Sequence, residues 1–296
     1  MLGLNKLCES LNSYDVIVGT TTPTAYGLAA LRIAGRVRPP VIGIQCGLVN
    51  YRHSRRRRAV NGFVLRRTWT QLFGEGELDP VKELFSVPDD RVEVNQFGVD
   101  TAFWTPGDAK EDGYVLSVGN DARRDYELLV TAAQRINMRF VIVTKRTIAA
   151  QIPPNVEVVK GDWHAETLSD IELRSLYRAA QFVVLPLKDS VQPSGQSVCL
   201  QAMACGKPVI LTDTRGLWSR ETIRNGENVV LVPPGDAEAM ANRIEDLWAK
   251  TETRERLGRA ARETACREGN IEMFADRLAN LCKRVTAGDY MTGANI

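Results

Sequence analysis

The sequence predicts an α/β protein built on parallel sheets with helices laid across them. Three observations predict it. Short β-branched runs alternate with longer segments of helical periodicity along the chain. Several runs end directly in a glycine, as at Gly19 and Gly119, the punctuation expected where a strand turns into a helix. The composition, 44% hydrophobic and 25% charged over 296 residues, suits a chain that buries a full core as one large or two medium domains.

The elements follow in order. Tyr14-Asp15-Val16-Ile17-Val18-Gly19 and Pro40-Val41-Ile42-Gly43-Ile44 read as buried strands, and Thr24 to Ile33 between them as a helix rich in Ala and Leu. Arg91-Val92-Glu93-Val94 is a further short strand. Gly107 to Gly113 is polar and flanked by glycine, which predicts a linker. The boundary falls there, giving domains 1–107 and 108–296. The second domain is clearer. Tyr114-Val115-Leu116-Ser117-Val118-Gly119 is a strand ending in glycine, Asp125 to Ile136 a helix, and Phe140 to Thr144 and Val156 to Val159 two strands. Ser169 and Glu172 form a capping box ahead of a helix carrying Leu173, Leu176, Tyr177 and Ala180. Phe182 to Pro186, Val209 to Thr212 and Val229 to Val232 are strands, Asp236 is the N-cap of another helix, and Ile271 to Leu281 is a last apolar helix.

Bulk properties exclude several classes. A net charge of +2 lacks the strong basicity of a dedicated nucleic-acid binder, and no nucleic-acid partner is expected. Cysteines 8, 46, 199, 205, 266 and 282 include no C-x-x-C pair, which predicts free thiols in a reducing compartment. His53 and His164 stand far apart without a ligand cluster, so no zinc or other metal site is expected. No apolar run has the ~18 residues of a spanning helix. The first residues, Met1-Leu2-Gly3-Leu4-Asn5-Lys6, lack the regions of a signal peptide. A cytoplasmic protein is expected.

The most informative stretch runs from Pro193 to Ile210. It reads as a Ser194-Gly195-Gln196-Ser197 turn, a helix of small and apolar residues, a glycine stop at Gly206 and a buried strand. A helix opening from such a turn presents unpaired backbone N–H groups and a positive dipole end, the groups a diphosphate needs. By itself the turn fits any doubly wound sheet. It is followed, however, by Ala202-Met203-Ala204-Cys205-Gly206-Lys207-Pro208-Val209-Ile210, then Asn225-Gly226-Glu227-Asn228, then Val232-Pro233-Pro234-Gly235-Asp236. With Phe97-Gly98-Val99-Asp100-Thr101 upstream, these ordered strings closely resemble the retaining glycosyltransferases of the GT-B fold, glycosyltransferase family 4.

The resemblance implies two Rossmann-like domains facing a cleft, with the nucleotide sugar held by the second from about residue 113 to 285 and the last helix returning to the first. The sequence departs from the pattern in two ways. The family's paired glutamates, one on the transferred sugar and one on the ribose, are replaced by Pro193 and Gln201. Gln201 keeps a carbonyl acceptor, weaker than a carboxylate, and Pro193 has none. The family's first strands and their glycine-rich loop are also missing, so the N-terminal domain is expected to be incomplete, through truncation or genuine shortening.

Carried over by position, the donor-binding residues are Gly119, Asn120, Ser194, Gly195, Gln196, Ser197 and Gln201. Asn120 falls at the family's arginine and Arg124 at its lysine. Arg124, then Lys145, are the cations expected to stabilise the leaving diphosphate, each with the alternative of a solvated basic residue near a helix start. His164, in the segment expected near the nucleobase, reads more readily as an ordinary polar loop residue than as a ligand. The Arg55-Arg56-Arg57-Arg58 run is either a surface for an anionic lipid or polymer or a solvated helical face. The implied function is transfer of a hexose from a nucleotide diphosphate sugar to a hydroxyl of a glycan, lipid or small molecule, with no separate cofactor. The competing reading is a catalytically impaired subunit that binds a nucleotide sugar or a partner.

Overall fold

The computed structural model describes residues 2–51, 54–107, 112–162 and 167–288. The chain forms two compact units, Met1–Gln96 with Val191–Pro193 and Phe274–Ile296, and Phe97–Ser190 with Ser194–Met273. Residues 108–111 of the expected linker, and both His53 and His164, lie outside the described residues.

In the first unit the elements are α1 (Leu2–Leu11), β1 (Ile17–Gly19), α2 (Thr22–Ile33), β2 (Val41–Gln45), α3 (Arg55–Leu65), β3 (Trp69–Leu72), α4 (Leu78–Phe85) and β4 (Val92–Val94). The four strands are all parallel, in the order β1-β2-β3-β4. Thr21 caps α2 by accepting the Thr24 N–H, and Pro23 sits in the first turn where its missing N–H is harmless. Gly19 is needed because α2 crosses so close that a Cβ there would lie 2.7 Å from the Ala25 Cα. Ser54 caps α3 in the same way through the Arg57 N–H. Leu48, Leu65, Leu72 and Phe85 form the core on one face of this sheet.

The second unit holds β5 (Tyr114–Val118), α5 (Tyr126–Ala133), β6 (Arg139–Val143), β7 (Val156–Val159), α6 (Asp170–Ala179), β8 (Phe182–Leu185), α7 (Gln196–Ala204), β9 (Val209–Thr212), β10 (Val230–Val232), α8 (Ala237–Ala249), α9 (Thr251–Glu268) and the start of α10 (Ile271–Ala287). Its six strands are parallel in the order β10-β9-β8-β5-β6-β7, a doubly wound sheet. Every residue of β5 and β8 is buried, which is why these strands read as unbroken apolar runs rather than alternating ones. One core, with Leu116, Tyr177, Val183, Met203 and Trp218, covers one face; another, with Leu129, Phe140, Phe182, Ile210 and Ile244, covers the other. The capping box at Ser169 and Glu172 and the N-cap at Asp236 are both formed. In α10, Leu281 and Val285 pack on Ile42 and Trp69, against the second face of the four-stranded sheet.

Candidate functional site

Strand order reverses between β5 and β8, so the loops leaving these two strands part company at their C-terminal ends. Open α/β sheets leave a crevice at that point. Residues 119–125 leave β5 and residues 186–195 leave β8. The two loops are stitched by an antiparallel bridge between Arg124 and Leu187. The Asp125 N–H donates to the Pro186 carbonyl at 3.0 Å and the Lys188 N–H to the Arg123 carbonyl at 2.8 Å.

Arg124 sits at the centre of this seam and is only 2% exposed. The solvated alternative is thereby excluded. Its Nε donates to the Val118 carbonyl at 3.0 Å. Its Nη1 makes no hydrogen bond and lies 3.4 Å from the Asp121 carboxylate. Two glycines make room for this buried guanidinium. Gly119 has φ +148°, and a Cβ there would stand 2.0 Å from Nε; Gly195 has φ +77°, and a Cβ there would stand 2.9 Å from Nη1. A side chain at either position would both strain the backbone and push on the arginine.

Gly195 is also the N-cap of α7 and, as a glycine, brings no side chain to cap it. The first-turn N–H groups of Gln196 and Ser197, the positive end of the helix dipole and Arg124 therefore meet at one place. Gln196, Val198, Cys199 and Leu200 are buried, so the helix start is fixed by its packing. The arrangement can hold an anion. Ser194, immediately before the cap, donates its hydroxyl to Asp121 Oδ1 at 2.7 Å.

The remaining expected residues are placed as follows. Asn120 braces three strand ends: its Nδ2 donates to the Gly161 carbonyl at 2.7 Å, and its Oδ1 accepts from the Lys145 N–H at 2.7 Å and the Thr144 hydroxyl at 3.2 Å. Lys145 extends its Nζ to Asp162 Oδ1 at 3.1 Å, with its side chain 39% exposed. Gln201 Oε1 accepts from the Tyr177 hydroxyl at 3.2 Å. Tyr177 is fully buried, edge-on to Trp104 at 5.7 Å, and burial holds its hydroxyl protonated far above the usual range. Pro193 belongs to the first unit, where its carbonyl lies 4.0 Å from the Cys46 Sγ, and the Gln192 amide reaches the same sulfur at 3.7 Å. None of the six cysteines is in a disulfide.

Sequence reasoning missed four residues of this site. The Gly119 carbonyl accepts from the Tyr126 hydroxyl at 2.7 Å and the Thr144 hydroxyl at 2.8 Å, which fixes the glycine above Arg124. Burial pushes the Tyr126 hydroxyl up to about 12, so it remains a donor. Tyr177 orients Gln201. Asp121 is the fourth, and a signal for it existed: a carboxylate in a loop expected to face phosphate is out of place there. Among the described residues no group of three or more His, Cys, Asp or Glu is placed to share a metal ion.

Residues 112–250, which contain this whole constellation, match the family model of Glycosyl transferases group 1. That segment belongs to the group 1 glycosyltransferases. The chain is 28% identical over 210 residues to a D-inositol 3-phosphate glycosyltransferase of Paenarthrobacter aurescens, covering 62% of this chain and 50% of that protein. It therefore spans about half the length of the curated group 1 relatives of this kind that it matches. Sucrose-phosphate synthase from Thermosynechococcus elongatus superposes with a TM-score of 0.77 at 21% identity, over 96% of this chain and 76% of that one. Anabaena Alr3699/HepE, solved in complex with UDP and glucose, gives a TM-score of 0.77 at 17% identity, over 94% and 80%. At such identities these superpositions establish a common GT-B architecture.

Proposed function

We propose that the protein binds a nucleotide diphosphate sugar at the Arg124 seam and transfers its hexose, with retention, to a hydroxyl of a glycan, lipid or small molecule. One observation carries the reading. A buried guanidinium is held against two positive-φ glycines, and one of these is the N-cap of a helix. Such an arrangement places a fixed cation and fixed N–H dipoles where charge develops on a leaving diphosphate, and it needs no reorganisation during the reaction. Anabaena Alr3699/HepE, which shares this fold, has been solved in complex with UDP-glucose, a nucleotide sugar.

In this scheme Arg124 and the Gln196 and Ser197 N–H groups stabilise the diphosphate as the glycosidic bond breaks. Lys145 is a second cation at the neighbouring strand end, released from Asp162 when phosphate oxygens arrive. The leaving oxygen takes the acceptor's proton on the same face of the sugar, and no enzyme nucleophile is required. Gln201, turned by Tyr177, offers the ribose its remaining acceptor capacity and its amide N–H groups.

On the acceptor side we assign α3 to an anionic lipid surface. Its four leading arginines are exposed, Val60 and Phe63 are exposed among them, and residues 54–67 include no acid. That mixture suits anionic headgroups, and among the described residues no helix is long and apolar enough to cross a membrane. Cysteines outside any disulfide, with Cys46 exposed, suit a reducing compartment such as the cytoplasm.

A second reading, a subunit that binds a nucleotide sugar without transferring it, is favoured by one observation. No acid stands at 193 or 201, and the Gln201 carbonyl already accepts from Tyr177. Binding of UDP-, GDP- and ADP-sugars, followed by product analysis with glycan and lipid acceptors, separates the two. Turnover with any pair establishes the transferase. Binding without turnover across the panel establishes the subunit.

A further inference from the structure

The anion seat is already taken. Asp121 lies on the turn between Gly119 and Arg124, and its carboxylate collects the groups a phosphate would use. Oδ1 accepts from the Ser194 hydroxyl at 2.7 Å and from the Arg123 N–H at 3.0 Å, while Oδ2 lies 3.4 Å from Arg124 Nη1. Ser194 adjoins the glycine that opens α7, and Nη1 is the arginine nitrogen directly beneath that glycine. A carboxylate thus links the mouth of the helix to the buried cation. Its partners define the site rather than merely border it.

We infer that Asp121 opposes phosphate binding: its carboxylate is the resident anion of the donor seat, and a ligand must bring a phosphate group that displaces it from Ser194 and Arg124 together. The inference rests on the proposed nucleotide-sugar reading of this seam. Displacement is structurally simple. The Asp121 side chain is 43% exposed and belongs to neither a strand nor a helix, so a side-chain rotation delivers the carboxylate to water.

The consequence is selection against phosphate as such. While it remains in place, Asp121 repels any phosphate that arrives. One carboxylate spans the hydroxyl and the guanidinium, so the oxygens of a single phosphate group can span them once it has moved. A nucleoside meets neither contact and is indifferent to Asp121. The acid therefore lowers affinity for every phosphorylated ligand, monophosphate and diphosphate alike, and leaves the nucleoside unaffected.

The test is calorimetric titration of the full chain and of Asp121→Asn with UDP, GDP and ADP, then with the monophosphate and nucleoside of whichever base binds. Asparagine keeps the size and a hydrogen-bond acceptor while removing the charge. The expected result is about five- to tenfold tighter diphosphate binding by D121N. Monophosphate should gain at least as much, and nucleoside should not change. Diphosphate affinity that is unchanged or weakened in D121N, with the nucleoside unaffected, overturns the inference and assigns Asp121 to orienting Arg124. A protein that is folded by circular dichroism and binds no nucleoside diphosphate in either form overturns the donor reading itself, and the inference with it.

Discussion

Gly195→Ala tests the geometry of the seam, and Gly226→Ala supplies an internal control. Both glycines have φ +77°. An alanine in that left-handed region costs ~1–2 kcal/mol at either place, partly offset by the lower entropy of the unfolded chain. The surroundings differ. Nothing lies within 4 Å of a Cβ built at 226, whereas at 195 the Arg124 Nη1 is 2.9 Å away. The guanidinium must retreat by several tenths of an ångström, and it has little room to do so. Its Nε is tied to the Val118 carbonyl, and Gly119 is pressed against its other side. Misplacing one charge-assisted hydrogen bond to phosphate costs ~1.5–3 kcal/mol, or about 10- to 100-fold in affinity. Thermal denaturation should show a loss of stability in both variants, larger in G195A because of the added clash with the buried arginine. Titration with the nucleoside diphosphate should show the binding loss in G195A alone. Unchanged binding by G195A, or equal weakening by G226A, would refute the placement of Arg124 beneath the helix mouth.

Other outcomes follow from the same structure. Gln201→Glu keeps the Tyr177 contact and restores an acid toward the ribose, so affinity for the nucleotide sugar should rise severalfold; weaker binding by titration would count against ribose contact at 201. Glu77 is buried in the first unit and accepts the Gly47 N–H at 3.0 Å; burial outweighs the backbone donors and pushes its carboxyl up to about 7. A carboxyl raised above its unfolded value of 4.5 contributes stability that is full below that value and is lost as pH rises through 7. The melting temperature should therefore fall between pH 5 and pH 8 in the wild type and fall less in Glu77→Gln. Replacing Arg56 and Arg57 with glutamate should abolish sedimentation with phosphatidylglycerol vesicles and leave phosphatidylcholine controls unchanged, and retained sedimentation would remove α3 from the acceptor side.

Much of the second unit was legible because buried parallel strands leave apolar runs bounded by glycine, as at Tyr114–Val118 and Phe182–Leu185. The first unit was less so. β3 was invisible because its Thr70 and Gln71 are polar yet buried inside the sheet, and Trp69-Thr70-Gln71-Leu72 shows neither an apolar run nor alternation. α1, α4 and α9 were not singled out either. Gly195 was recognisable as a turn residue. That Gly119 and Gly195 both make space for one arginine was not, because the contact depends on two loops from different strands meeting at the sheet's reversal. Asn120 carries a similar lesson. Position alone matched it to a family cation, while the structure engages its amide in joining Gly161, Thr144 and Lys145. Asp121 shows the limit most sharply, since only distances distinguish a solvent-facing turn residue from the occupant of an anion site.

On the proposed reading, Arg124 supplies the phosphate-specific part of nucleotide binding. The most direct measurement is the affinity difference between a nucleoside diphosphate and its parent nucleoside, taken on the wild type and on Arg124→Ala. A large difference in the wild type that collapses by about 100-fold or more in R124A is the expected result. A difference of the same size in both proteins would contradict the claim and place the diphosphate elsewhere.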